Sequence, residues 1–205
     1  KIQPDADVIK TAYQSALRFA PGEKWEYCNV GYFTLAEIIS RVSGKSWDAF
    51  LNERIFAPVG MTATRTTTTR EIVPNRADGY EWNKDKLQNA TEFLALRPSG
   101  AFLSTVSDLV KLEEALAGKS FLTPEIRTTM WTPFKLNSGK ESSYGLGWVI
   151  DEVNGKKRIG HGGTLNGFKS YFSRFVDDRL TVIVLTNLAQ VDPSKFSNQI
   201  AAQYI

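Results

Sequence analysis

Two short segments of the sequence carry side chains that could move a proton or hold a carbonyl group. The first is WEYCNVGY at residues 25–32, in which Tyr27 and Asn29 stand two positions apart before an apolar helical pattern. A tyrosine phenol whose pKa neighbouring cations lower can act as a general base, and an asparagine amide can hold a carbonyl oxygen. Asn29 is equally a good N-cap, with Tyr27 as a hydrophobic staple. The spacing leaves both interpretations open.

The second segment is GHGGTLNGF at residues 160–168, which contains the only histidine of the chain, His161. The glycines there let backbone N–H groups approach a ligand closely, and such groups stabilise a developing oxyanion. The alternative is a glycine-rich hairpin in which His161 only ends a strand. We therefore treat this segment as a candidate oxyanion site with a structural alternative.

The amino-acid composition excludes several classes of protein and several kinds of binding partner. The chain has 205 residues, of which 42% are hydrophobic and 12% aromatic, as expected for one globular domain. Its 25 basic and 22 acidic residues form no long block of one sign, so no nucleic-acid partner is predicted. One cysteine, Cys28, permits neither an intrachain disulfide nor a Cys-based metal site. The sequence has no 18-residue apolar run, no signal-peptide pattern and no initiator methionine, which indicates a processed chain or part of a longer one.

The elements that must position these residues follow from the periodicity. From about residue 20 to 135 the hydrophobic pattern is mainly helical. The threonine-rich segment 62–79 lacks this pattern and is predicted to be an extended surface segment. Thr105 with Asp108 resembles a capping box, and Thr123 before a proline opens a further helix. Other helices are predicted over residues 5–19, 29–42 and 47–56.

From about residue 143 to 205 the sequence pattern predicts strands followed by a final helix. Strands are predicted over residues 144–151, 156–161, 167–175 and 180–187, separated by Asn-Gly, Gly-Gly and Asp-Asp turns. Short loops between consecutive strands imply an antiparallel sheet. LTVIVL is apolar on both faces and is predicted to be a central strand covered by helices on both sides.

The two candidate segments and what lies between them resemble the serine β-lactamase and penicillin-binding-protein superfamily, and more narrowly its class C β-lactamase-related branch of esterases, D-amino-acid peptidases and lactamases. The resemblance runs from about Phe19 to the last residue. It rests on the order of Tyr-x-Asn, an apolar helix ending in VSGK, FAPVGM, PSGAFLSTVSDL at 98–109, YGLGW at 144–148 and Gly-His-x-Gly before a hairpin. It implies an α+β fold of the β-lactamase/transpeptidase type, in which an antiparallel sheet flanked by helices joins a helical region over the cleft.

The resemblance also implies roles for individual residues. Tyr27 matches the tyrosine that assists proton transfer, and Asn29 matches the amide that contacts substrate. His161 stands at the lysine position of the strand motif, Gly163 is its glycine, and Thr164 lends a backbone N–H to the oxyanion hole. This chemistry uses side chains and backbone amides alone, so no cofactor is expected.

The sequence departs from the family pattern at the nucleophile. No serine is followed three residues later by a lysine, and only 26 residues precede Tyr27, fewer than the family places between Ser-x-x-Lys and Tyr-x-Asn. We expect residues 1–205 to be an incomplete domain that lacks its N-terminal part and is inactive alone. Such a chain would expose apolar surface and a sheet edge, covered by a complementary N-terminal fragment or by self-association.

The resemblance implies serine attack on an ester or amide, followed by hydrolysis of an acyl-enzyme. His161 is mostly neutral at pH 7, whereas the lysine that grips a β-lactam carboxylate is a permanent cation. The sequence therefore favours ester or peptide-like amide substrates, with β-lactamase or D,D-peptidase activity as one alternative and a non-catalytic binding module as another. The family favours a periplasmic or secreted location.

Overall fold

The computed structural model describes residues 5–68, 71–91, 98–100 and 102–205, and Ala101 within the PSGAFLSTVSDL segment lies outside that description. The first part of the chain is mainly helical. It contains α1 (Asp5–Tyr13), α2 (Asn29–Ser43), α3 (Trp47–Leu51), a π-helical turn (Asn52–Phe56), α4 (Ala57–Val59), α5 (Val106–Ala117) and α6 (Pro124–Met130). Two short antiparallel pairs accompany these helices: β1 (Arg65–Thr66) with β4 (Phe102–Leu103), and β2 (Tyr80–Asn83) with β3 (Lys86–Asn89).

The second part is a four-stranded antiparallel sheet followed by a helix. Its elements are β5 (Val149–Val153), β6 (Lys156–Leu165), β7 (Phe168–Phe175), β8 (Leu180–Thr186) and α7 (Pro193–Ala201), with the strands in the order β5-β6-β7-β8. Asn154 and Gly155 join β5 to β6 with φ of 53° and 76°, the two positive values that a type I′ turn requires. The predicted mixture of helices and an antiparallel sheet is confirmed.

Two predicted helix starts are confirmed, and in both a threonine side chain caps the helix. The Thr105 hydroxyl accepts a hydrogen bond from the Asp108 N–H at 3.1 Å, and the Thr123 hydroxyl accepts one from the Ile126 N–H at 3.3 Å. The prediction for the first helix is wrong at its end, because α1 stops at Tyr13 rather than at residue 19. Leu17, in the part that is not helical, is 78% exposed, so no packing stabilises a longer helix.

Two sheet predictions are also wrong. The Gly-Gly pair does not form a turn: β6 continues through it to Leu165, and the chain reverses at Asn166 and Gly167. β8 is not central, since it lies at one end of the sheet that the described residues form. Its two faces are nevertheless covered, because it packs against α7 and against α5. Packing of helices against both faces explains the apolar sequence of β8, although β7 is its only neighbouring strand among the described residues.

The core lies between the sheet and α7, and a second contact joins the sheet to the helical part. Phe175 is fully buried with Val182 and Ala201. On the opposite face, the Arg174 side chain of β7 forms a bidentate ion pair with Glu113 of α5, with Nε and Nη2 lying 2.5 and 3.1 Å from the carboxylate oxygens. The sheet is thus a layer between α7 and the helical part.

The segment 62–79 is not purely a surface segment. Thr64 and Thr67 are buried, at 6% and 4% exposure. The Thr64 hydroxyl lies 2.9 Å from the Asp108 carboxylate, which explains the burial of a polar residue.

Helix α2 exposes apolar side chains that recur with helical spacing. Three of them are more than half exposed: Leu35, Ile38 and Val42.

Candidate active site

Tyr27 and Asn29 lie where the chain enters α2. Tyr27 belongs to the extended segment before the helix and is 42% exposed. The N-cap is Cys28, without a side-chain hydrogen bond, and Asn29 is the first helical residue. The interpretation of Asn29 as the N-cap is therefore wrong. The backbone of Asn29 is already helical, whereas an N-cap is the residue immediately before the first helical residue. Asn29 is exposed, and its contact with substrate stays a prediction.

His161 lies inside β6, opposite Phe172 of β7. Its Nδ1 is 2.7 Å from the carbonyl oxygen of Gly162, which holds the ring at a defined angle to the strand. A Cβ at the preceding residue, Gly160, would come within 2.5 Å of the Phe172 carbonyl oxygen. This glycine therefore serves the close approach of the two strands that carry the histidine.

The fold brings Tyr27 and His161 together from distant parts of the sequence. Their ring centroids are 6.0 Å apart. The Tyr27 ring is also 5.7 Å from Tyr32 and 6.1 Å from Tyr144, and Trp25 lies 5.1 Å from Tyr144. We call these five residues, Trp25, Tyr27, Tyr32, Tyr144 and His161, the aromatic cluster.

A hydrogen-bond chain runs through the aromatic cluster. The hydroxyl oxygens of Tyr32 and Tyr144 are 2.7 Å apart, and the Tyr144 hydroxyl is 2.8 Å from His161 Nε2. Tyr144 is only 7% exposed. The sequence alone assigned neither Tyr144 nor Tyr32 a role in the site. The available signal was weak: both residues belong to the segments that carry the family resemblance.

The electrostatics of the aromatic cluster favour the protonated phenols of Tyr27 and Tyr144. Partial burial raises the pKa of Tyr27, and the neighbouring Tyr32 and Cys28 raise it further. Burial raises the pKa of Tyr144, and so does its hydrogen bond with Tyr32. The expectation that neighbouring cations lower the pKa of Tyr27 is wrong for the described residues, where burial and like-charged neighbours act instead.

The remaining residues predicted for the site follow His161 on β6. Gly163 is paired with Ser170 and Thr164 with Lys169, and both are exposed. Their backbone roles toward an oxyanion stay predictions. Among the described residues, no group of three or more His, Cys, Asp or Glu side chains is placed to hold a metal ion, and no helix is long and apolar enough to cross a bilayer.

This arrangement suits acid–base chemistry at a partly exposed tyrosine, because Tyr27 is 42% exposed. A protonated Tyr27 hydroxyl can donate a hydrogen bond or pass a proton, and the ring of His161 lies beside it. The glycine-rich continuation of β6 follows His161 directly in the same strand.

Comparison with known proteins identifies consistent relatives. A family model described as Beta-lactamase matches residues 2–204. Penicillin-binding protein 4* of Bacillus subtilis is 32% identical over 205 residues, which are 91% of this chain and 45% of that protein. A D-aminopeptidase of Brucella anthropi is 28% identical over 196 residues, 90% of this chain and 36% of that protein. The chain thus spans less than half the length of both relatives.

Solved structures agree with the sequence relatives. The octameric penicillin-binding protein homologue from Pyrococcus abyssi superposes with a TM-score of 0.85 at 27% identity, and the match covers 97% of this chain and 47% of that one. A match of this extent includes the sheet, α7 and the helical part together. The α+β architecture is therefore that of the penicillin-binding-protein fold.

Proposed function

The chain belongs to the β-lactamase family, and from that premise we propose that it is the C-terminal part of a serine hydrolase that acts through an acyl-enzyme on esters or peptide-like amides. The relatives named penicillin-binding protein and D-aminopeptidase support this reaction class. The nucleophile would belong to a Ser-x-x-Lys segment outside the 205 residues, since no serine among them has a lysine three positions on.

The observation that carries the proposal is the 6.0 Å separation between the rings of Tyr27 and His161. In the proposed reaction, the serine hydroxyl attacks the substrate carbonyl and its proton leaves through the lysine and Tyr27. Tyr27 returns that proton to the departing alcohol or amine, which leaves the acyl-enzyme. Water then attacks the ester, and the serine recovers its proton. Asn29 would hold the substrate, and Gly163 and Thr164 would lie beside the oxyanion.

The exposed surface supports the same proposal. Leu35, Ile38 and Val42 are 54%, 51% and 83% exposed on α2, and β8 ends the described sheet. Apolar residues in such a periodic row normally pack against another element. We propose that the complementary N-terminal segment of the same protein covers this face and brings the nucleophile to Tyr27.

His161 bears on the substrate class. A histidine, unlike the lysine that the family carries at this position, is not a permanent cation. It offers a substrate carboxylate less attraction than a lysine does, so esters and peptide-like amides suit the site better than β-lactams. A β-lactamase or D,D-peptidase activity is the second candidate, and the relative named penicillin-binding protein favours it.

The first test is an intact mass spectrum of the native protein under denaturing conditions. A second polypeptide with Ser-x-x-Lys, or a single larger chain that contains it, would provide the nucleophile. Hydrolysis of a short nitrophenyl ester, a D-amino-acid amide and a chromogenic cephalosporin should then be measured. We expect the first two rates to exceed the third, and the reverse order would favour a β-lactamase.

The opposite result has a definite meaning. If the 22.9 kDa chain is the only species and no acyl-enzyme forms with a reactive ester, the chain is not catalytic as it stands. A non-catalytic binding module of the same fold would then be the better description, as the absence of Ser-x-x-Lys from these residues favours. A homo-oligomer in that sample would mean that self-association covers α2.

A further inference from the structure

We propose that Tyr144 is a positioning residue that holds His161 as the neutral tautomer with its hydrogen on Nδ1, and that Tyr32 orients Tyr144 for this task. The three side chains come from a loop, a strand and a helix, so the sequence does not place them together. The catalytic consequence of this inference rests on the function proposed above, whereas the protonation pattern can be measured without it.

The direction of the hydrogen bonds follows from one group that can only accept. The Gly162 carbonyl oxygen, 2.7 Å from His161 Nδ1, has no hydrogen to donate, so this contact favours a hydrogen on Nδ1, and the donor at Nε2 is needed to fix it there. A neutral ring then has its lone pair on Nε2, which accepts from the Tyr144 hydroxyl at 2.8 Å. The Tyr144 oxygen in turn accepts from Tyr32 at 2.7 Å.

Tyr144 is held firmly enough to act in this way. It is 7% exposed, its ring meets the His161 ring edge-on at 5.7 Å, and Trp25 packs 5.1 Å from it. Its backbone is also fixed on both sides: the carbonyl accepts from the Phe134 N–H at 2.9 Å, and the N–H donates to the Ser142 hydroxyl at 3.2 Å. A phenylalanine would fill the same space but would leave Nε2 without this donor.

This arrangement separates the roles of the two candidate catalytic residues. Both ring nitrogens of His161 are occupied, one by Gly162 and one by Tyr144. The ring is therefore not free to take a proton from a nucleophile or a leaving group. It forms a fixed, uncharged wall of the cleft, and the movable proton belongs to Tyr27, 6.0 Å away.

The test uses the fact that His161 is the only histidine of the chain. Labelling histidine with ¹⁵N and comparing the spectrum with that of His161→Gln identifies the Nδ1 and Nε2 signals of His161, and their chemical shifts report which nitrogen carries the hydrogen. The spectrum should be recorded at about pH 8, where a histidine of usual pKa is neutral. We expect one tautomer, protonated at Nδ1 and unprotonated at Nε2. A ring protonated at Nε2 would overturn the proposal.

Variants separate Tyr144 from the rest of the fold. In Tyr144→Phe we expect a mixture of tautomers, and in Tyr32→Phe a smaller shift of the Nε2 signal with the tautomer retained. Tyr204→Phe, at a residue that is 74% exposed, is the matched control and should leave both signals unchanged. An unchanged spectrum in Tyr144→Phe, or an equal change in the control, would overturn the proposal. If Tyr144→Phe does not fold, the wild-type spectrum and Tyr32→Phe still decide it.

Activity then tests the consequence. In the protein with its nucleophile, Tyr144→Phe should lower kcat about tenfold, the worth of one hydrogen bond, with a smaller change in KM. If wild-type protein shows the expected tautomer but hydrolyses nothing, the proposed function fails while the assignment of Tyr144 stands. If hydrolysis is strong but the tautomer is wrong, the assignment of Tyr144 fails alone.

Discussion

Tyr27 is the single residue on which the proposed proton transfer depends. Because burial raises the pKa of its phenol, the hydroxyl remains a donor at neutral pH unless the complete site supplies a cation. Tyr27→Phe in the complete protein should lower acyl transfer at least about a hundredfold, the usual worth of a general acid or base. Initial rates with a nitrophenyl ester measure this loss.

Tyr27→Phe should leave folding nearly unchanged, because the ring is retained and is 42% exposed. The free energy of unfolding should stay within about 0.5 kcal/mol of wild type in a urea titration. Tyr204→Phe serves as the control for removing a hydroxyl far from the cleft. A Tyr27→Phe enzyme as active as wild type would remove Tyr27 from the mechanism.

Asp108 is a buried carboxylate that links α5 to the loop between α4 and β1. It is 2% exposed, and it accepts hydrogen bonds from the Ala63 N–H at 2.8 Å, the Thr64 hydroxyl at 2.9 Å and Lys111 at 3.0 Å. Burial alone would raise its pKa, but these hydrogen bonds outweigh burial and lower the pKa below its usual value. Asp108→Asn should lower the free energy of unfolding by about 2 kcal/mol, measured by urea denaturation at neutral pH.

The sign of the pKa shift gives the pH dependence. Because the folded-state pKa lies below the unfolded-state value, the stabilisation is complete above the usual aspartate pKa of about 4 and is lost as the pH falls through the folded-state pKa. The gap between wild type and Asp108→Asn should therefore narrow in acid. Asp177→Asn, in an exposed turn, is the matched control and should change little. A gap that widens in acid would contradict the shift.

At the scale of elements, the β6–β7 pair positions His161, and Gly160 sets its spacing. A Cβ at Gly160 would meet the Phe172 carbonyl oxygen at 2.5 Å, so Gly160→Ala must push the strands apart beside the residue that pairs with His161. We expect it to lower the free energy of unfolding by about 2 kcal/mol and to shift the His161 nitrogen signals. Thermal unfolding and the ¹⁵N spectrum measure the two effects.

Gly31→Ala is the control for the same chemical change in another element. A Cβ at Gly31 of α2 would meet no atom of the described residues within 4 Å, and alanine favours a helix over glycine. This variant should be neutral or more stable by up to about 1 kcal/mol. If both glycine variants lose stability equally, close approach of the strands is not what Gly160 provides.

Local chemistry determines which features of these elements could be predicted. The caps at Thr105 and Thr123 and the Asn154-Gly155 turn depend on neighbouring residues, and the sequence predicts them correctly. The end of α1 and the continuation of β6 depend on what packs against them, which no local pattern records. The same limit applies to the site: motif order indicated Tyr27 and His161, whereas Tyr144 is brought to His161 only by the tertiary fold.

At the scale of the whole molecule, one buried ion pair joins the helical part to the sheet. Arg174 of β7 is 3% exposed in its side chain and Glu113 of α5 is 20% exposed. The guanidinium carbon of Arg174 lies 4.3 Å from the ring centre of Trp131 and 6.0 Å from that of Trp148. The remaining nitrogen, Nη1, is buried without a hydrogen-bond partner among the described residues. The aromatic rings and Glu113 together offset the cost of burying this charge.

Glu113→Gln should therefore destabilise the molecule more than the loss of one surface pair would. It leaves the Arg174 cation buried with a neutral partner, and breaking such a pair costs about 3 kcal/mol or more. Glu114→Gln, at the exposed next residue of α5, makes the same chemical change and should stay within about 0.5 kcal/mol of wild type. Urea unfolding can be followed by the fluorescence of the five tryptophans, which include Trp131 and Trp148. In the double variant Glu113→Gln/Arg174→Met no buried charge remains at this contact, so most of the stability should return; if the double variant is no more stable than Glu113→Gln, the uncompensated charge is not the cause of the loss.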